Sequence, residues 1–152
     1  SSNEEKLIYK VNGGYVQFIK HIKNGIAFVQ EHYGEEASLK IIDLNNEAVE
    51  VCQNIMEISD VEVIEDVVYI LGRMKDNVYS IYEIKDGGVN RITYDFPSNI
   101  HIDKGLSVNE NGELLFAGSN DNSEIDNIYK YYDESISLVF EGSGEYNFIN
   151  VQ

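Results

Sequence analysis

The chain has one cysteine, one proline, no tryptophan and few bases. Each shortage excludes something. With Cys52 alone, no internal disulfide and no cysteine-built metal site can form. Its setting, Val49-Glu50-Val51-Cys52-Gln53, reads as a strand, where a lone thiol is packing material. With Pro97 alone, the turns must be made by Gly, Asn and Asp. No apolar run is long enough to span a bilayer as a helix, so no membrane insertion is expected. Nucleophile and phosphate signatures are missing as well: there is no Gly-x-Ser-x-Gly, P-loop, His-Glu-x-x-His or Cys-His arrangement.

The shortage of bases is the strongest of these. Eleven Lys and Arg stand against 27 Asp and Glu, a formal net charge of −16. Such a chain repels nucleic-acid backbones and anionic lipid surfaces, so neither partner is expected unless the protein imitates nucleic acid. The imbalance is uneven: residues 105–152 carry nine acids and the single base Lys130. Hydrophobic content is ordinary at 43%, so the charge reads as a solvated surface on a folded protein rather than as disorder.

What the chain does have is strands. Eleven tyrosines and six phenylalanines suit half-buried β positions. Apolar residues fall in runs of period two, cut by turn chemistry such as Asn12-Gly13-Gly14, Asn24-Gly25, Asp86-Gly87-Gly88 and Asn111-Gly112. Strands are expected at 7–11, 15–22, 26–30, 39–44 and 48–52, then 61–64, 67–71, 78–84 and 89–94. A last group follows at 106–108, 113–117, 127–132 and 135–141. Their middle members form a series, Ile41-Ile42-Asp43-Leu44, Ile81-Tyr82-Glu83-Ile84 and Ile128-Tyr129-Lys130-Tyr131, at spacings of 40 and 47 residues. A period of that length built only from strands points to propeller blades.

The expectation is an all-β fold of consecutive four-stranded antiparallel blades, about half of a β-propeller. A polar tether at 1–6 precedes a single domain at 7–152, with repeats at about 15–56, 57–98 and 99–143. Tyr146-Asn147-Phe148-Ile149 echoes Tyr15-Val16-Gln17-Phe18-Ile19, as if strands of neighbouring blades stood at each end. The start, Ser1-Ser2-Asn3-Glu4-Glu5-Lys6, has the polarity of a tether behind a lipoprotein anchor, which favours an extracytoplasmic location.

Asn109-Glu110-Asn111-Gly112-Glu113-Leu114-Leu115-Phe116-Ala117-Gly118-Ser119, a polar loop, then Asn127-Ile128-Tyr129, resembles the TolB-type propeller repeat. The second unit keeps Val68-Tyr69-Ile70 and Ile81-Tyr82, and the first keeps Ile26-Ala27-Phe28 and Ile41. The usual proline before the turn and the Asp-Arg pair at the loop tip are missing. The resemblance covers about residues 15–143 and implies a binding platform, a sensory module or a gatekeeper before a catalytic domain.

Few side chains point to chemistry. Asn120-Asp121-Asn122-Ser123-Glu124-Ile125-Asp126 gathers oxygen donors suited to calcium but lacks the glycine and distal glutamate of an EF-hand loop. Glu31-His32-Tyr33-Gly34-Glu35-Glu36 sets a histidine among carboxylates but offers no nucleophile or second histidine. Both read as solvated blade tips. His21 and His101 read as half-buried strand residues, and Arg73 and Arg91 as ion-pair partners. No catalytic, cofactor or metal residue is assigned. The expected function is a non-enzymatic binding or scaffold module, part of a larger bacterial protein or a self-assembly in which two copies complete a ring. The alternatives are a small acidic inhibitor or immunity protein for a basic partner, and a regulatory propeller segment of a peptidase.

Overall fold

The computed structural model describes residues 4–32, 36–75, 78–94, 96–120 and 124–143. It is all-β and antiparallel, with no α-helix among the described residues. The chain divides into two compact units, one ending at Ile92 and one starting at Thr93.

The first unit is one open seven-stranded sheet whose strands lie side by side in chain order: β1 (Tyr15–Ile22), β2 (Gly25–Glu31), β3 (Ala37–Asp43), β4 (Ala48–Ile64), β5 (Val67–Met74), β6 (Tyr79–Lys85) and β7 (Gly88–Arg91). Two-residue turns join β1 to β2, β4 to β5 and β6 to β7, and Asp86–Gly87 places both residues at positive φ, as the right-handed twist of the flanking strands demands. At the β3–β4 turn, Asp43 accepts hydrogen bonds from the Asn45 and Glu47 amides at 2.8 and 2.9 Å.

β4 organises the unit. Its 17 residues pair with β3 through 48–55 and with β5 through 55–64, and Ile55 faces Ala37 on one side and Met74 on the other. Register shifts flank that crossover on the β5 side, between Ile55 and Glu57 and between Ile58 and Asp60, and Asn54 sits at φ 64°. The sheet thus consists of two four-stranded meanders that share one strand. Their inner faces build one core: Ala27, Val29, Leu39 and Cys52 from the first side join Val61, Ile70, Tyr82 and Ile84 from the second. Fully burying each large apolar side chain contributes about 1.5–3 kcal/mol. Across the fold Lys20 of β1 reaches Asp60 and Glu62 of β4 at 2.6 and 2.8 Å. Burial works against the Lys20 ammonium, but its two carboxylate partners outweigh it and hold the pKa above the ordinary value.

Two expectations need correction. Residues 7–11 are not a strand. Leu7 and Ile8 are exposed, while Tyr9 lies on Phe28 with ring centroids 5.0 Å apart. The segment has apolar side chains but uses them against a face, not in a ladder. The interval 53–60, unassigned from the sequence, is the middle of β4, so the repeat boundary at 56/57 falls inside a continuous strand. The Tyr146-Ile149 echo lies outside the described residues.

The second unit is an antiparallel sheet in the order β12–β11–β10, with β8 and β9 both on the outer edge of β10. The strands are β8 (Asn99–Ile100), β9 (Leu106–Val108), β10 (Leu114–Ser119), β11 (Asn127–Tyr132) and β12 (Ser135–Phe140). The Asn-Gly turn before β10 forms as read: Asn109 Oδ1 accepts from the Asn111 and Glu113 amides, both at 3.0 Å. One face is closed by Leu106, Leu114, Phe116, Tyr129 and Tyr131. Phe96 meets Tyr129 edge-on at 5.4 Å and Phe116 stacks on it at 5.7 Å. Gly118 lets the chain before β8 come close, because a Cβ there would sit 2.6 Å from the Asn99 carbonyl oxygen and 2.9 Å from Pro97 Cγ.

Candidate functional site

The outer edge of the second sheet is interrupted. β8 and β9 are two pieces of one edge: Asn99–Ile100 pair with the end of β10, and Leu106–Val108 with its start. Between them the chain leaves the ladder at residues 101–105. The His101 amide still donates to the Ala117 carbonyl at 3.0 Å, then a 3₁₀ turn at Ile102–Lys104 closes with the Lys104 amide on the His101 carbonyl at 3.2 Å. Gly105 rejoins the strand at φ 74°, a backbone conformation that suits glycine.

The detour leaves a hollow of about 350 Å³ over β10 and β11. Leu115, Ala117 and Ile128 lie along it, residues 104–107 wall it, and Lys104 and Asp126 stand at its polar end. Asp126 binds His101 Nδ1 on one oxygen and lies 3.7 Å from Lys104 Nζ on the other. Lys104 also pairs with Asp103 at 3.2 Å, and that contact lowers the Asp103 pKa and raises the Lys104 pKa from their ordinary values.

On its other nitrogen, His101 Nε2 faces Ser119 Oγ at 3.4 Å. Ser119, His101 and Asp126 therefore stand in the order hydroxyl, imidazole, carboxylate, the order used by acyl-transfer enzymes. Burial decides what the row can do here. Ser119 is 1% exposed, so its Oγ is closed to a substrate carbonyl. Its backbone carbonyl also accepts from Ser98 Oγ at 3.4 Å, which fixes the residue at the strand end. The row ties the detour at 101–105 to β10 and to the start of β11. Sequence reading placed His101 as an isolated strand residue; it lies just beyond β8, and its carboxylate partner is 25 residues away.

The other sequence candidates separate. Within the 120–126 loop, residues 121–123 lie outside the described part, and Asp126 is engaged by His101 and Lys104. Around the 31–36 tip, residues 33–35 lie outside it too, and Glu36 is paired with Lys75. Among the described residues no three His, Cys, Asp or Glu side chains gather into a metal site. His21 is exposed on β1 rather than half-buried. Arg73 pairs with Glu57 at 3.4 Å and lies 5.2 Å from the Tyr79 ring centroid, while Arg91 donates to Ser80 Oγ at 3.1 Å. Cys52 sits in the core of the first unit, and burial raises its thiol pKa.

Comparison of the chain with protein-family models, with curated proteins and with solved structures finds no match.

Proposed function

We propose that the chain is a non-enzymatic binding or scaffold module made of TolB-type propeller blades, whose working form contains more than one copy. One observation carries the reading. The chain makes three successive four-stranded antiparallel meanders: β1 to the first half of β4, the second half of β4 to β7, and the broken β8/β9 edge to β12. Each has the strand number and up-and-down order of a blade, and the first two pack inner face to inner face as adjacent blades do. Three blades are fewer than a closed ring needs, so closure calls for further blades, from a larger protein or from further copies, and the multi-copy form is the one put to the test. Burial of Ser119 supports a role without catalysis.

Sedimentation velocity at tens of micromolar tests the assembly, and electron microscopy of the assembled fraction tests the blades. A ring of six blades is expected from two copies. A stable monomer across that concentration range overturns the multi-copy form.

The formal charge of −16 favours a second reading, a small inhibitor of a basic protein. That reading predicts capture of a basic partner which modest salt releases.

A further inference from the structure

An open sheet leaves two outermost strands, and the two that matter here differ in charge. Strand β12 has β11 on one side and no partner on the other among the described residues. Its sequence, Ser135-Ile136-Ser137-Leu138-Val139-Phe140, contains no charge and no proline. Leu138, Val139 and Phe140 are 49%, 54% and 58% exposed. Natural edge strands are usually blunted by a lysine, a proline or a covering loop, and this one carries no blunting residue. A six-residue uncharged window of this kind, rich in β-branched and aromatic residues, pairs readily with another strand. Carboxylates bracket it: Asp133 and Glu134 before, Glu141 after.

Strand β1 is the outermost strand at the start of the first sheet, where β2 is its one ladder partner among the described residues. It lies in the one stretch of the chain that runs against the overall charge. Residues 6–30 hold Lys6, Lys10, Lys20, Lys23 and His21 and no carboxylate. Lys20 is committed to Asp60 and Glu62, but His21 and Lys23 are exposed at the strand's end. Ile19, 67% exposed, adds apolar surface beside them.

We propose that β12 of one copy pairs antiparallel with β1 of a second copy, and that this strand contact is the joint of the assembly. The proposal rests on the multi-copy reading above and names its interface. Antiparallel pairing brings Asp133 and Glu134 of one copy to His21 and Lys23 of the other. Pairing of β12 with another β12 is disfavoured, since the antiparallel arrangement sets Asp133 and Glu134 against Glu141 of the other copy. The joint is heterologous, so closure depends on whether two such contacts form between one pair of copies.

The test compares the wild-type chain, Val139→Lys and Ile19→Lys by sedimentation, with circular dichroism to confirm that each variant keeps its strands. Both positions are exposed, so a lysine there is compatible with the fold. Assembly of wild type with at least a tenfold loss of association in each variant is the expected result. A mixture of Ile19→Cys and Val139→Cys chains is also expected to cross-link between copies. Wild-type assembly untouched by either lysine overturns the joint and leaves the multi-copy reading standing. A monomeric wild type that stays monomeric when cut after Ser143 overturns both. If removal of residues 144–152 turns a monomer into an assembly, the occupant of β12 is the chain's own end, and the proposal fails.

Discussion

Replacing Gly72 by alanine isolates a steric requirement from a conformational one. Gly72 lies in β5 opposite Ile58 of β4, and a Cβ added there would stand 2.2 Å from the Glu57 carbonyl oxygen and 3.0 Å from Ile58 Cα. Ordinary contact begins at 3.4 Å, so the two strands must part by roughly an ångström at that point. The neighbours are backbone and cannot rotate away, and Ile55 and Ile58 are anchored in the core. Overpacking of this kind costs about 1–3 kcal/mol, and each ladder hydrogen bond opened adds about 1 kcal/mol. Restricting the unfolded chain returns about 0.4–1 kcal/mol. The expected net loss is about 3 kcal/mol, a fall in Tm of roughly 6–12 °C for a chain of this size. Gly87→Ala is the control, because Gly87 is left-handed at φ 77° with nothing within 4 Å of the added Cβ. It meets only the conformational cost, about 1 kcal/mol. Urea unfolding followed by far-ultraviolet circular dichroism and tyrosine fluorescence separates the two. A Gly72→Ala midpoint equal to or above that of Gly87→Ala would refute the steric argument.

Two further outcomes are expected. The Glu113 carboxyl is held below its ordinary 4.5 by hydrogen bonds from the Lys130 and Asn109 side chains, and Asp43 below its ordinary 3.8 by the Glu47 and Asn45 amides. A depressed folded pKa contributes stability above the unfolded value and loses it as pH falls through the folded one. Urea midpoints should therefore hold steady above about pH 5 and decline below about pH 4, and Glu113→Gln should flatten part of that decline; an unchanged acid limb in the variant counts against the Lys130 contact. Ser119→Ala should lower stability by about 1 kcal/mol and leave nitrophenyl-ester hydrolysis at the buffer rate. A wild-type esterase activity lost in both Ser119→Ala and His101→Ala would overturn the structural role given to that row.

What was legible in the sequence was local. Asn111-Gly112 and Asp86-Gly87 carry their turn conformations in their own side chains, so the strands on either side follow from short range. The course of β4 did not follow, because two register shifts change the phase of the apolar alternation, and Asn54, Glu57 and Asp60 interrupt it. Residues 7–11 have the alternation of a strand, yet a strand also needs a neighbour, and Tyr9 finds Phe28 instead. The edge shared by β8 and β9 was hidden for a related reason: the two pieces belong together only through β10, which comes later in the chain. His101 and Asp126 meet across that same edge, a contact no window of neighbouring residues contains.

The shared strand β4 has a consequence for how the first unit comes apart. Opening it at Ile55 breaks hydrogen-bond ladders toward β3 and β5 together, so neither meander can unfold and leave its neighbour intact. Amide exchange should show the slowest hydrogens of β3 and β5 exchanging at one common free energy, as a single foldon. The natural place to cut or graft is the boundary at Ile92 and Thr93, and a cut at 56/57 would sever the strand both halves depend on.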